Sequence, residues 1–291
     1  MSHEVALGDR IAEKVKAKAK ARGQDVPQAL QKLAQERIAC RLYAYEESEH
    51  LVVTGGCLYH WCPNMADMNR PTADIDLHSY EGETHDEILS LFRKAFQIED
   101  NDGWVFEVSK TSVLEHEHGE HNGLRVHIVG HLGKVRVSTY ADVGIGGEPP
   151  VGLRELRIRP QIEGQSSQTI KAQPFEYSMA EKLHSIVVRG LTNTRLKDYR
   201  DLLVLSRRGF DRETIRAAIE HTFRQRSTDL PEGLPVGLSS EYADMRQVDW
   251  QRHLTKNRIT GMPQDLGEVV DELADFYGPL LEREPAFTYT P

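Results

Sequence analysis

Two aspartates, Asp74 and Asp76, alternate with apolar residues in the segment ADIDLHSY. This period of two predicts a β-strand, on which both side chains project from one face about 6 to 7 Å apart. Carboxylates held that close repel each other unless a cation, a proton or a basic neighbour compensates them. Their hard oxygen atoms suit Mg²⁺ or Mn²⁺. The pair therefore predicts a metal site, although an isolated D-x-D segment is also consistent with the solvated face of an edge strand.

A third carboxylate on a neighbouring strand would complete such a site. Asp142 lies near the end of the segment STYADVGIG, whose alternation of apolar and polar residues predicts a strand. We therefore expect Asp142 to act as a third metal ligand, or as a base for an incoming hydroxyl group.

A pair of glycines precedes the acidic strand. Gly55 and Gly56 end the run LVVTGG, which predicts a buried strand, a tight turn and then a short helix. Backbone N–H groups at such a turn can hold phosphate oxygens, and glycine permits their close approach. Most Gly-Gly pairs are only turns, but with a D-x-D segment on the next strand the layout is typical of nucleotide transfer. Arg70, just before the acids, is expected to orient a substrate.

The remaining elements indicate how these residues are positioned. Gly23 and Pro27 divide the first fifty residues into two predicted helices, and Thr84 to Phe96 has the pattern of an amphipathic helix. Three further strands follow, and the last two are expected to join in a hairpin at Gly130 to Gly133. Beyond a connection containing several prolines, the predicted helices are Met179 to Arg189, Thr194 to Ser206, Asp211 to Gln225 and Asp265 to Phe276.

This order of elements predicts an α+β fold in two parts. Residues 1–165 are expected to form a small mixed β-sheet with flanking helices. Residues 166–291 are expected to form a mostly helical C-terminal domain. A boundary is expected within the connection from Pro149 to Pro174.

Composition excludes several classes of protein. The chain has 291 residues, of which 39% are hydrophobic, so it can bury a sizeable core. It contains no apolar run of about 18 residues, the length that a membrane span needs, and its first residues lack an apolar signal segment. We therefore expect a cytoplasmic protein with no membrane partner. Its three cysteines form no paired C-x-x-C motif and are expected to be plain thiols.

Charge is distributed unevenly along the chain. The formal charge of −9 argues against a protein that coats nucleic acid nonspecifically. However, the segment from Lys182 to Arg212 has eight basic residues against three acidic ones, and the segment from Arg10 to Arg22 has six against one. A polyanionic partner is expected to meet these two segments.

Four segments resemble those of the AbiEii/AbiGii-type nucleotidyltransferase toxins, a branch of the DNA polymerase β-like superfamily. They are VVTGGCLYHW, RPTADIDL, YADVGIGG and MAEKLHSIVVRGLTNTRLKDYRDLLVL. The A-E-K-L and R-x-K-D-x-x-D-L elements are the most specific, because their order and spacing are not generic to the superfamily. The resemblance extends over nearly the whole chain.

The resemblance implies a role for each matching residue. The metal ligands of the family fall on Asp74 and Asp76, and its glycine turn on Gly55 and Gly56, the latter standing where the family often has serine. The resemblance also implies Mg²⁺ or Mn²⁺ and a nucleoside triphosphate (NTP) as substrate.

Two residues of the second half also carry implied roles. The family's catalytic lysine, which faces the nucleotide phosphates, falls on Lys182, and the acid of the second half falls on Asp198. From the residues alone, Lys182 is also consistent with a lysine that extends past the core to solvent, and Asp198 and Asp201 with ordinary helical ion pairs. Asp198 is the preferred acid and Asp201 the alternative. The acids of the first half and Lys182 are expected to meet in one cleft.

The leading hypothesis is therefore a metal-dependent nucleotidyltransferase. From the resemblance, the acceptor is RNA, with the tRNA 3′ end suggested by the related MenT-type toxins, and the protein is the toxin of a toxin–antitoxin or phage-defence pair with a cognate antitoxin. One alternative is transfer of AMP to protein by the same site. Another is a catalytically silent partner-binding protein, in which Gly56 marks loss of the serine.

The run HEHGEHNG, with His116, His118 and His121, raises the question of zinc. Glutamates alternate with the histidines and no cysteine lies nearby, so a solvated hairpin tip is the preferred interpretation.

Overall fold

The computed structural model describes residues 3–68, 72–114 and 123–282. Contacts between its elements divide the chain into two compact units, Met1–Gln173 and Pro174–Pro291. Within the described residues, the first unit contains all of the strands, and the second contains helices only. The predicted α+β class is therefore confirmed.

The first unit combines four helices with seven strands in its described part. The helices are α1 His3–Ala21, α2 Val26–Ala44, α3 Gly55–Trp61 and α4 His85–Ala95. The strands are β1 Val52–Thr54, β2 Asp74–Ser79, β3 Trp104–Leu114, β4 Gly123–Leu132, β5 Val135–Ile145, β6 Arg154–Arg157 and β7 Thr169–Ala172.

The strands form one mixed sheet in the order β3-β4-β5-β2-β1-β7-β6. Strand β2 pairs in parallel with β5 and antiparallel with β1. The acidic strand therefore lies inside the sheet, and the alternative of a solvated edge strand is wrong.

The apolar alternation of the central strands explains which face of the sheet is covered. Ile75 and Leu77 of β2 and Ala141 and Val143 of β5 are buried. Helices α1, α2 and α4 supply contacts to β3, β4 and β5, so these side chains form a core between helices and sheet. Because successive residues of a strand point to opposite faces, the acidic residues project from the other face.

Local signals set where the helices of this unit begin. The Asp25 side chain accepts a hydrogen bond from the backbone N–H of Gln28 at 2.9 Å, and Pro27 occupies the first turn of α2, where its missing N–H is tolerated. Thr84 and Glu87 form a capping box at the start of α4. These signals confirm the predicted break between α1 and α2 and the predicted α4.

Two details of the first unit differ from prediction. The β4–β5 hairpin turns at Gly133 and Lys134, and Gly130 lies within β4. Strands β6 and β7 were not predicted, because each has only four residues and lies in the proline-containing connection. Strand β7 pairs with β1, so the first unit extends beyond the boundary expected after residue 165.

In its described residues, the second unit contains five α-helices that pack on one another. They are α5 Phe175–Arg189, α6 Leu196–Ser206, α7 Arg212–Gln225, α8 Ser240–Lys256 and α9 Leu266–Leu281. Helix α5 contacts α6 and α7, and α9 contacts α6, α7 and α8. Helix α8 was not predicted, because its buried residues Tyr242, Ala243, Trp250 and Leu254 form only a sparse apolar stripe.

The cysteines and tryptophans have structural roles, as the sequence indicated. All three cysteines are buried and take part in no disulfide bond, and Trp61, Trp104 and Trp250 are at most 5% exposed. Over the described ranges, no helix is long and apolar enough to cross a membrane.

Candidate active site

Three carboxylates converge on the face of the sheet opposite the buried residues Ile75, Leu77, Ala141 and Val143. Asp74 and Asp76 lie two residues apart on β2, and Asp142 of β5 is the register partner of Asp76. One oxygen atom from each residue can be chosen so that all three lie within 4.8 Å of one another. All three residues are partly buried. The third carboxylate therefore lies on the neighbouring strand, where the sequence placed it.

Side chains from other elements hold the start of the acidic strand. The Gln35 amide on α2 donates hydrogen bonds to the carbonyls of Thr72 and Asp74 at 3.1 and 3.3 Å. The Thr139 hydroxyl on β5 donates to the Ala73 carbonyl at 3.0 Å. The Thr72 hydroxyl in turn donates to the carboxylate of Asp74. These hydrogen bonds fix the orientation of the Asp74 carboxylate.

The glycine turn between β1 and α3 closes directly against Asp76. The backbone N–H of Gly56 donates to the Asp76 carboxylate at 3.2 Å. Gly55 has a φ of +60°, and a Cβ atom added there would lie 1.8 Å from Oδ2 of Asp76. Glycine is therefore required at position 55 both by the backbone conformation and by the carboxylate beside it.

We expect Gly55→Ala to destabilise the protein by roughly 2 to 5 kcal/mol, which combines the left-handed backbone and a steric clash. Gly23→Ala is the matched control, since Gly23 has a φ of +62° but open space around its Cβ position; we expect it to cost only about 1 to 2 kcal/mol. Urea unfolding of both variants measures the difference. Equal losses would mean that Asp76 does not restrict position 55.

An arginine outside the sequence motifs pairs with the third acid, Asp142. Arg125 of β4 lies opposite Asp142 in the register of β4 and β5. Its guanidinium donates to both oxygens of Asp142, each at 2.7 Å, and lies over the Tyr140 ring at 4.1 Å from the centroid. The hydrogen bonds to Asp142 raise the pKa of Arg125. Arg125 thus remains a fixed positive charge beside the acids.

The donor set fits a hard divalent cation. It consists of carboxylate oxygens only, from Asp74, Asp76 and Asp142, and such ligands suit Mg²⁺ or Mn²⁺. The three acids and Arg125 together carry more negative than positive charge. Each carboxylate oxygen has more than one acceptor position, so the observed hydrogen bonds do not prevent these oxygens from contacting a cation.

A second group of ionised residues lies within the helical unit. Lys182 of α5 is only 8% exposed, and its ammonium lies 3.3 Å from Asp198 and 3.0 Å from Asp201, both on α6 and fully buried. Arg195 contacts Asp198 at 2.6 Å, and Arg200 contacts Asp201 at 3.0 Å. Lys182 is therefore held between two acids from another helix and does not extend to solvent.

The acids of this cluster explain part of the stability at neutral pH. Burial by itself raises the pKa of Asp198, but the charges of Lys182 and Arg195 outweigh it and hold this pKa below its usual value. The carboxylate therefore stabilises the folded state fully above its unfolded pKa of about 3.9. This contribution is lost as the pH falls through the lower folded pKa.

We expect Asp198→Asn to be less stable than the wild type at pH 7, because Lys182 loses a charged partner. Its stability should also decline less than that of the wild type between about pH 5 and pH 3, because the acid with the lowered pKa is absent. Urea unfolding at several pH values tests this, with the exposed Asp244→Asn as control. Parallel pH curves for wild type and Asp198→Asn would contradict the assignment.

Three other predictions concerned Arg70, the histidine-containing run and the basic segment from Lys182 to Arg212. Arg70 and the histidines His116, His118 and His121 lie outside the described ranges. In the basic segment from Lys182 to Arg212, Lys182 and Arg200 are buried in ion pairs, and Arg207 pairs with Glu272 at 2.6 Å. Less positive charge is thus available to a polyanion than the sequence count suggested.

A glycine turn beside three carboxylates on adjacent strands of a mixed sheet is a layout typical of nucleotidyltransferases. The family described as "Nucleotidyl transferase AbiEii toxin, Type IV TA system" matches residues 37–273. The chain therefore belongs to the AbiEii nucleotidyltransferase toxin family, and the resemblance inferred from its motifs is confirmed.

Comparison with solved structures finds a similar chain, described as "Crystal structure of JHP933 from Helicobacter pylori". The similarity covers 84% of this chain and 92% of that chain, with 14% sequence identity and a TM-score of 0.49. No curated protein matches this chain.

Proposed function

We propose that the protein is a metal-dependent nucleotidyltransferase that moves a nucleotide from an NTP to an RNA acceptor in the cytoplasm, with the tRNA 3′ end as the preferred acceptor. The observation that carries the proposal is the convergence of Asp74, Asp76 and Asp142 beside the glycine turn. Membership of the AbiEii family supports the reaction class, an NTP substrate and a cognate antitoxin.

The residues of the first unit have complementary roles in this proposal. Asp74, Asp76 and Asp142 hold Mg²⁺ or Mn²⁺, and Asp142 is also the candidate base for the attacking hydroxyl. A bound divalent cation supplies charge stabilisation for the transferred phosphoryl group and the leaving pyrophosphate. The backbone at Gly55 and Gly56 leaves room for the NTP phosphates to approach the acids.

The roles of three further residues rest on the resemblance and on sequence position. Lys182 neutralises charge that develops on the β and γ phosphates. Asp198 positions the ammonium of Lys182, and their contact at 3.3 Å supports this. Arg70 orients a substrate, as its position before the acidic strand suggested.

An RNA acceptor is supported by exposed arginines in the helical unit. Arg189 and Arg212 are exposed, and a limited number of phosphate contacts suits a selective RNA-binding protein better than one that coats nucleic acid.

The deciding experiment incubates the purified protein with each α-³²P-labelled NTP, total tRNA and Mg²⁺. Label on RNA, dependent on a divalent cation, is the expected result. Label on protein instead would identify AMP transfer to protein, and label on neither would favour a silent partner-binding protein. EDTA in a parallel reaction should abolish labelling, and labelling that persists in EDTA would contradict the metal dependence.

A further inference from the structure

We propose that Arg125 and Tyr140 form a positioning pair that fixes the carboxylate of Asp142 as the third ligand of the divalent cation. The proposal rests on the metal-binding part of the proposed function. It assigns roles to two residues that received none from the sequence motifs, although Tyr140 is the first residue of the segment YADVGIGG.

The register of the sheet brings the pair and the acids together. Arg125 lies directly opposite Asp142 on β4 and β5, and Asp142 lies opposite Asp76 on β5 and β2. Tyr140, two residues before Asp142, projects from the same face and is the register partner of Asp74. These five side chains therefore occupy adjacent positions on one face of three neighbouring strands.

The hydrogen bonds of Arg125 define the orientation of Asp142. A guanidinium that donates from Nε and Nη2 to both carboxylate oxygens, each at 2.7 Å, fixes the plane of the carboxylate as well as its position. A lysine has one nitrogen at that distance and cannot fix the plane. Metal ligands need such support, because loss of a hydrogen bond to a ligating group commonly reduces metal affinity or activity by 10- to 100-fold.

Tyr140 supports the guanidinium of Arg125 through a contact with its ring. The ring centroid lies 4.1 Å from the central carbon of Arg125, which is within the range of a favourable cation–π contact. Both side chains are partly exposed, so the contact restrains the arginine where burial alone would not. The order of contacts is Tyr140 to Arg125 to Asp142, and the acid then faces Asp74 and Asp76.

Charge and orientation must be separated in the test. Removing the guanidinium removes a positive charge that opposes cation binding, and it also releases Asp142, so Arg125→Gln changes two properties in opposite directions. Arg125→Lys keeps the charge and removes only the two-point contact. Tyr140→Leu removes the ring, whereas Tyr140→Phe keeps it. Arg136→Gln is the matched control, because Arg136 lies on the same face of β5 six residues before Asp142.

The measurement is the binding of Mn²⁺ to the full chain without nucleotide, from the electron paramagnetic resonance signal of free Mn²⁺. We expect Arg125→Lys to raise the Mn²⁺ dissociation constant by about 10-fold or more, and Tyr140→Leu to raise it by a smaller factor. Tyr140→Phe and Arg136→Gln should remain close to the wild type. In transfer assays, the Mn²⁺ concentration for half activity should rise for Arg125→Lys, and saturating Mn²⁺ should restore most of kcat.

Each other outcome has a definite meaning. Wild-type Mn²⁺ affinity in Arg125→Lys would overturn the inference. If Arg125→Gln then bound Mn²⁺ more tightly than the wild type, Arg125 would act only as a positive charge that opposes cation binding. If the wild type binds Mn²⁺ and transfers no nucleotide, the proposed function fails and the inference stands. If the wild type binds no Mn²⁺, both the metal assignment and the inference are overturned.

Discussion

Asp76→Asn is expected to reduce nucleotide transfer by roughly 10³-fold or more, because a divalent cation contributes several kcal/mol to charge stabilisation and each 1.4 kcal/mol corresponds to a factor of ten. Asp76 lies centrally in the site, as the register partner of Asp142 and the acceptor of the Gly56 N–H at 3.2 Å. Asparagine keeps the size of the side chain and one acceptor oxygen. The measurement is the rate of label transfer from an α-³²P-labelled NTP.

The fold should tolerate this change, since it removes one of three like charges that repel one another. We expect the unfolding free energy of Asp76→Asn to equal or exceed that of the wild type in the absence of metal. Asp86→Asn is the control, because Asp86 is an exposed acid in the first turn of α4 and should leave transfer unchanged. Substantial activity in Asp76→Asn would contradict the metal assignment, and a loss of stability would mean that Asp76 is mainly structural.

The acidic part of the site could be predicted because it depends on short-range patterns. Strand periodicity alone places Asp74 and Asp76 on one face, and it places Ile75 and Leu77 on the other. The prediction that Asp142 lies beside Asp74 and Asp76 needed one further assumption, that the strand of Asp142 is a neighbour of β2. The sheet order confirms this assumption. The glycine turn was predicted from composition, but its direct contact with Asp76 depends on the pairing of β1 with β2.

Arg125 could not be found in the same way, because its role depends on the register of a hairpin. A turn at Gly133 and Lys134 aligns Arg125 with Asp142. The hairpin expected at Gly130 to Gly133 would pair Asp142 with a different residue of β4. A small shift of the turn thus changes every cross-strand pair, and the sequence offers several glycines at which the chain could reverse.

The ion pairs of Lys182 with Asp198 and Asp201 could not be predicted from the sequence for another reason. Helical periodicity shows that Asp198 and Asp201 share a face of α6, and it predicts local pairs such as Arg195 with Asp198, which the structure contains. It carries no information on which helix packs against that face. The contact of Lys182 with both acids depends on the packing of α5 against α6, so the sequence could not show that both acids share this lysine.

The cluster predicts a large loss of stability when Lys182 is removed, because its ammonium contacts two buried acids. We expect Lys182→Met to lower the unfolding free energy by about 3 kcal/mol, because breaking a buried ion pair leaves uncompensated charge in the interior. The value lies at the lower end of the usual 3 to 5 kcal/mol, since Arg195 and Arg200 still contact the two acids. Urea unfolding measures it, with Lys197→Met on the neighbouring helix as a matched control.

The effect of Lys182 on nucleotide transfer must then be separated from its effect on stability. Transfer would fall in Lys182→Met whether the lysine acts on the NTP phosphates or only neutralises the buried acids. Lys182→Met combined with Asp201→Asn removes one buried negative charge along with the lysine and should recover part of the lost stability. If Lys182 neutralises the NTP phosphates, transfer stays low in the double variant even at temperatures where it is fully folded. Recovery of transfer together with stability would mean that Lys182 is structural. Since Lys182 contacts Asp198 and Asp201 directly, this comparison tests whether the family's lysine acts through its own charge or through the helix packing that it stabilises.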